Sequence, residues 1–335
     1  MATLSEMLHT LIPPTQRQTV DEVTEALDLG SGDRVGKRSG FLIMLTLAGI
    51  IAIAGVITDS TATVIGAMII APLGTPILAI GLGIVTGRLS LVVRSILWVL
   101  AGLVIVIVLG LGFSVFVATP ESLATNSQVV GRTSPSFMDL VAALATGFAG
   151  GFAMCRKDLS AVLPGVAIAI SLVPPLGVVG VCAGQGLWTD ALGALWLFFS
   201  NVIALIIAGS IVFTLAGYAR DPGSSPVANR RRAYVIVGVL AVIITIPLAA
   251  NSIVSVALAR WSVSIQDATA TWLSSEQGAR VYGVEWSGRT ATVEITTSDG
   301  STPPIAELQK SIAAAVPSFV GVVVDVGQGQ EVTIQ

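Results

Sequence analysis

The sequence predicts an all-α polytopic membrane domain of seven helices, followed by a small C-terminal α+β domain. Two observations support this prediction: the composition and a duplicated apolar segment. Of 335 residues, 53% are hydrophobic and only 11% are charged, whereas about 25% of the residues in an ordinary soluble domain are charged. The mean hydropathy of +0.87 is typical of a membrane protein.

The duplicated segment covers residues 59–87 and 158–186, at a constant offset of 99 positions. Aspartate and proline are less common in this chain than glycine and the aliphatic residues, so their matches carry the most weight. A duplicated hydrophobic segment that is interrupted by proline is typical of transporters with internal symmetry. The identical pairs include Asp59/Asp158, Gly66/Gly165, Pro76/Pro175, Gly81/Gly180 and Gly87/Gly186.

Seven apolar segments have the length of roughly 20 residues that a membrane-spanning helix needs. They should be helices, because every backbone polar group in lipid has to be paired internally. Basic residues in the short loops predict that the N-terminus is cytoplasmic and the C-terminus is outside, since of these short-loop residues only Arg132 and Arg260 then lie outside. The segments are 41–57, 61–86, 91–117, 137–154, 160–184, 190–216 and 233–257.

The spans group into two repeats, 41–117 and 137–216, within a transmembrane domain at 37–258. Three spans is an odd number, so the second repeat starts from the opposite side of the membrane and the two are inverted. The seventh span lies outside this 3+3 arrangement and could serve packing or oligomerisation.

Polar segments flank the membrane domain on both sides. Residues 1–36 form a predicted cytoplasmic segment with a short amphipathic helix at 20–29, which begins at a Thr19/Glu22 capping box. Residues 259–335 form the predicted extracytoplasmic α+β domain. Its predicted strands are 281–286, 291–296, 322–326 and 331–334, with a helix near 305–316.

The candidate solute site lies at the centres of spans two and five. A proline inside a helix removes a hydrogen-bond donor and costs about 3 kcal/mol, so these centres should be broken. The freed backbone groups must face protein or a watery cavity, although packed structural kinks are the alternative. The predicted solute-binding residues are Pro72, Gly74, Thr75, Pro76, Ser171, Pro174 and Pro175.

Three further polar residues are candidates. Asn201 is the most polar point inside span six, and it either binds the solute or bonds to another helix. Asp59 and Asp158 are predicted to gate the cavity or bind an ion. The alternative, which the position before a span favours, is that each aspartate caps the helix that follows.

Other chemistry is poorly supported. No HExxH, GxSxG or P-loop motif occurs, so we expect no enzyme, no catalytic residue, no cofactor and no metal. The net charge of −3 does not suggest nucleic-acid binding. The expected partners are a small-molecule solute, the lipid bilayer and further copies of the chain in a homo-oligomer.

The run Thr58-Asp59-Ser60, continued by residues 64–73 (VIGAMIIAPL), resembles the signature of the DUF389 family. The resemblance covers roughly residues 37–215. It implies a multi-span bacterial membrane protein, hence location in the inner membrane, and supplies no assigned catalytic residues.

The sequence thus predicts a transporter of a small organic solute that works by alternating access between two inverted repeats. An oligomeric channel is the first alternative. A membrane-anchored sensor or scaffold that uses the C-terminal domain is the second.

Overall fold

The computed structural model describes residues 12–133, 135–159, 172–220, 230–275, 279–287, 290–297, 302–317 and 319–328. The chain divides into two compact units, Met1–Ala249 and Ala250–Gln335. The domain limits predicted from the sequence stay predictions.

The chain enters the first unit through a short amphipathic helix, α1 (Val20–Leu27). Its capping box is present as predicted: the Glu22 amide donates to the Thr19 hydroxyl at 3.2 Å, and the Thr19 amide donates to the Glu22 carboxylate at 2.7 Å. The helix ends at Leu27, two residues before the predicted end, because Asp28 adopts an extended conformation.

Apolar helices build the rest of the first unit. Within the described residues, four are long and apolar enough to cross a membrane, or five if a bent pair counts as one span. They support a membrane-embedded protein; the count of seven spans stays a prediction. The helices are α2 (Arg34–Ile57), the bent pair α3 (Thr61–Ile70) and α4 (Gly74–Thr86), α5 (Leu89–Phe113), α8 (Phe137–Cys155), α9 (Val173–Gly184) and α10 (Trp188–Leu215).

Besides the bent pair, two predicted spans do not correspond to a single helix of their own in the described residues. Residues 160–171, the first half of span five, lie outside the described residues, and α9 supplies the second half. The predicted seventh span, 233–257, lies within the long helix α11 (Arg230–Trp272).

The connection between α5 and α8 contains two short helices that the sequence did not predict, α6 (Glu121–Ala124) and α7 (Ser127–Thr133). Neither has an apolar stripe long enough to read as a helical pattern. Their position depends on contacts with residues distant in sequence.

The surface of α5 distinguishes this unit from a soluble bundle. Val106 is fully buried, but Leu97, Val104 and Val108 are 61%, 55% and 58% exposed. Large apolar side chains that recur along a helix and face outward are expected where the solvent is lipid rather than water.

Within its described residues, the second unit contains a three-stranded sheet in the order β1 (Arg280–Ser287), β2 (Thr290–Thr297), β3 (Gly321–Gln328). The pair β1/β2 is antiparallel, while β2/β3 is parallel and is connected through α12 (Ile305–Ala315). Ala291, Val293 and Ile295 are buried on one face of β2, which confirms the predicted alternation. The predicted strand 331–334 lies outside the described residues.

Candidate functional site

The first predicted break is a bend between α3 and α4. Residues 71–73 separate the two helices, whose axes differ by 49°. Leu73, the residue before α4, offers no side-chain cap to the helix, and the Thr75 amide donates to the Pro72 carbonyl at 3.3 Å. Pro72 therefore lies in the break, and Pro76 lies in the first turn of α4.

The second predicted break corresponds to the start of α9. Val173 begins this helix, and Pro174 lies at its N-terminus, where the missing N–H leaves no hydrogen bond unmade. Gly74 and Val173, the first residues of α4 and α9, are 99 positions apart. In both copies of the duplicated segment, the last prolines thus lie at the start of a helix that forms the second half of a predicted span. We call these two helices, α4 and α9, the half-helices. Ser171 lies outside the described residues.

The surroundings of both helix starts are apolar and buried. Leu73 and Leu172 precede the two half-helices and belong to one buried apolar cluster. Gly74, Pro76, Pro174 and Pro175 are buried, whereas Pro72 and Thr75 are half-buried. These candidate residues therefore lie inside the bundle.

Asn201 lies in α10, with 3% of its surface exposed. Its counterpart in the first repeat is Gly102, because the two positions differ by the repeat offset. A Cβ atom on Gly102 would lie 2.6 Å from the Leu73 side chain. Beside the first break there is thus room only for a glycine, whereas the equivalent position of the second predicted repeat is occupied by Asn201.

Each half-helix packs against the third helix of the opposite predicted repeat as well as against that of its own. Helix α4 packs against α10 of the second repeat, and α9 packs against α5 of the first. A Cβ atom on Gly81 would lie 3.3 Å from the Ile206 carbonyl oxygen, and one on Gly180 would lie 2.5 Å from the Ile107 carbonyl oxygen. Both glycines and both isoleucines are 99 positions apart, so the two contacts are the same contact made in both directions.

A second glycine pair was missed from the sequence. Gly110 and Gly209 are also 99 positions apart. A Cβ atom on Gly110 would lie 2.9 Å from the Gly177 carbonyl oxygen, and one on Gly209 would lie 2.8 Å from the Leu78 side chain. This pair would have been found if the offset of 99 positions had been applied beyond residue 186, in the next span.

The half-helices end at opposite ends of the bundle. Gly87 closes α4 with a φ of 70°, and Gly186 follows α9 with a φ of 77°. Arg88 immediately precedes α5, whereas the Gln185 side chain donates to the Ser114 carbonyl, immediately after α5, at 2.7 Å. Because α5 has 25 residues, at about 1.5 Å of rise per residue, the two glycines are separated by its length.

Asp59 is hydrogen-bonded to the start of α7 rather than capping the helix that follows it. Ser60 is the N-cap of α3, which shifts the predicted cap by one residue. Asp59 has a φ of 51°, and its carboxylate accepts hydrogen bonds from the Ser127 hydroxyl at 2.6 Å and from the Gln128 amide at 3.2 Å. The Ser127 hydrogen bond lowers the pKa of Asp59 from its usual value.

Asp158 makes a different contact. Its carboxylate accepts two hydrogen bonds from the Arg156 guanidinium, at 3.0 and 2.6 Å. This pairing lowers the pKa of Asp158. Gating or ion binding by Asp59 and Asp158 stays a prediction, and the described residues contain no cluster of His, Cys, Asp or Glu that could hold a metal ion.

Comparison with known proteins finds a family model that matches the centre of the chain. Residues 68–207 match the model of a family described as "Domain of unknown function (DUF389)", which confirms the resemblance. An uncharacterized protein of Methanocaldococcus jannaschii is 36% identical over 176 residues, which are 52% of this chain and 54% of the relative. The chain thus matches about half the length of that relative. No solved structure matches the chain.

Proposed function

We propose that this chain, which carries a DUF389 domain at residues 68–207, is a membrane transporter that moves a small organic solute by alternating access. The reciprocal packing of α4 on α10 and of α9 on α5 is the observation that supports it. Two halves that make the same contact in both directions are related by a two-fold axis. Alternating access uses such a pair, because one half can rock against the other around a fixed site.

The positions of the helix ends support an inverted relation between the halves. Gly87 and Gly186 occupy equivalent positions but lie at opposite ends of α5. A two-fold axis that exchanges the two ends has to lie in the membrane plane. In this proposal the N-terminus is cytoplasmic, the C-terminus is outside, and the chain is a multi-pass protein of a bacterial inner membrane.

The proposed solute site lies between the starts of α4 and α9. Backbone amides at a helix start carry partial positive charge, and both helix starts lack a side-chain cap. Apolar side chains such as Leu73 and Leu172 surround them. This environment favours a small solute with an apolar body and few polar groups, which Thr75 and Asn201 would contact.

Uptake into proteoliposomes tests the proposal. A solute is first selected by its thermal stabilisation of the purified protein, since a ligand of the folded state raises the apparent stability. Wild type is then compared with Pro76→Ala and Pro175→Ala, which restore a backbone donor at each helix start. We expect both variants to change uptake, by altered KM or maximal rate. Pro120→Ala, at an exposed loop proline, is the matched control.

The outcome separates the possibilities. If a solute is taken up and neither Pro76→Ala nor Pro175→Ala alters its handling, the proposed site is wrong. Single-channel currents in planar bilayers would show that the protein is an oligomeric channel rather than a carrier. Loss of all solute response on deletion of residues 262–335 would favour a sensor or scaffold.

A further inference from the structure

The N-terminal residues 12–29, which we call the strap, lie across one end of the helix bundle. Within the strap, α1 buries Val20, Val23 and Leu27. These three side chains belong to the same apolar cluster as the helices of both repeats. The strap is thus part of the packed interior at this end.

An ion pair between buried Asp28 and the partly exposed Arg94 attaches the strap to the first repeat. Asp28 is 4% exposed, and its carboxylate accepts hydrogen bonds from Arg94 Nε at 3.0 Å and from Arg94 Nη2. The Gly30 amide also donates to Asp28, at 2.7 Å. A Cβ atom on Gly30 would lie 2.6 Å from Arg94 Nε, so this glycine leaves room for the guanidinium.

Backbone hydrogen bonds attach the other end of the strap to the second repeat. The Gln18 amide donates to the Cys155 carbonyl at 2.9 Å, and the Lys157 amide donates to the Gln16 carbonyl at 2.8 Å. The Tyr218 hydroxyl donates to the Gln18 carbonyl at 2.9 Å. Cys155, at the end of α8, is fully buried beneath this contact.

We propose that the strap is a latch that closes this end of the bundle by joining the two repeats. The Asp28–Arg94 pair joins the strap to the first repeat, and the backbone contacts of Gln16 and Gln18 join it to the second. The repeats therefore cannot separate at this end while both attachments hold. Opening begins when the Asp28–Arg94 pair breaks and the strap leaves Cys155. The inference that this end has to open rests on the proposed transport function. The inference that the strap closes this end does not depend on that function.

Labelling of Cys155 with a bulky, charged maleimide tests the latch without a known solute. The measurement uses the purified full-length protein in nanodiscs with Cys182→Ser, so that Cys155 is the remaining thiol. Asp28→Asn and Arg94→Gln each remove one partner of a charged pair whose carboxylate is buried, and we expect Cys155 to react roughly tenfold faster or more. Val23→Asp, which places a charge in the strap's apolar contact, should have the same effect.

Two controls separate detachment of the strap from general loosening. Asp21→Asn makes the same charge change on the strap, but the Asp21 side chain is 83% exposed and pairs with Arg88 at 3.4 Å. In this variant the labelling rate of Cys155 should stay within about twofold of the rate in the parent protein, as expected for an exposed pair. The second control monitors Cys182, buried in α9, in a Cys155→Ser protein. Its rate should not change in any strap variant.

Unchanged labelling of Cys155 in Asp28→Asn, Arg94→Gln and Val23→Asp would overturn the latch. Equal acceleration at Cys155 and Cys182 would also overturn it, because the variants would then loosen the whole bundle. Faster labelling of Cys155 alone supports the latch even if the uptake assay finds no solute, so the two proposals fail separately.

Discussion

At the residue scale, the contact between repeats depends on positions where no side chain fits. The described glycines differ greatly in this respect: Gly180 approaches backbone atoms of α5, whereas a Cβ atom on Gly66 would have no neighbour within 4 Å. Within the described part of the chain, Gly66 therefore has no close packing partner. Small residues let helices approach closely, but only where a partner is present.

Alanine substitutions of these glycines should have graded effects. Gly180→Ala forces a methyl group against the Ile107 carbonyl, and we expect a loss of about 1–3 kcal/mol in the free energy of unfolding. Gly81→Ala should cost less, because its nearest contacts are 3.2–3.3 Å away. Gly66→Ala should be neutral or gain up to about 1 kcal/mol from helix propensity. Thermal unfolding in detergent measures the order, and equal effects at Gly66 and Gly180 would contradict it.

Asp59 should make stability depend on acid pH. Its pKa is lowered in the folded state by the Ser127 hydroxyl, so its stabilising contribution is present above the unfolded-state pKa and is lost as the pH falls through the folded-state value. Asp59→Asn, which keeps an acceptor but removes the charge, should lower the Tm at pH 7. The difference from wild type should shrink as the pH approaches about 3. A constant difference across this range would show that the charge is not responsible.

At the element scale, α5 combines one buried and one outward-facing stripe. Its small and medium residues Gly102, Val106 and Gly110 face the bundle, while Val104 and Val108 face outward. A helix that is apolar on both faces is expected when one face meets protein and the other meets lipid.

Spin labels on α5 test the lipid-facing assignment. Labels at Val104→Cys and Val108→Cys, in a protein lacking Cys155 and Cys182, should be accessible to oxygen and protected from a water-soluble relaxation agent. The reverse is expected at Ser90→Cys, an exposed residue at the start of the same helix. Strong relaxation of Val104 or Val108 by the water-soluble agent would mean that this face lines water.

The sequence predicted helices and their interruptions better than the connections between them. The capping box of α1, the alternation in β2 and the interruption at Pro72 follow from local patterns. The α6–α7 segment is held instead by contacts such as the Asn126 side chain donating to the Val56 carbonyl at 2.8 Å. No local periodicity encodes a contact between residues this far apart in the chain, and the strap's contacts with Cys155 and Tyr218 were missed for the same reason.

At the scale of the whole molecule, the repeats should expose equivalent loops on opposite membrane faces. Ser90 and Thr189 are both exposed and are 99 positions apart. A membrane-impermeant maleimide should label Ser90→Cys only from the cytoplasmic side and Thr189→Cys only from the outer side. Intact cells and inside-out vesicles give the two measurements. The parent protein, whose Cys155 and Cys182 are buried, is the control, and labelling of both variants from one side would refute the inverted repeat.

The packing of each half-helix on the opposite half also bears on how such a chain could arise. In the proposed inverted repeat, the second helix of each three-span half packs on the third helix of its counterpart, so neither half buries Gly81 or Gly180 by itself. A hypothetical ancestor with a single copy would have needed a twin inserted upside down in the same bilayer to complete its interior. Gene duplication would then have fixed, within one polypeptide, a pairing that separate molecules had to find by diffusion.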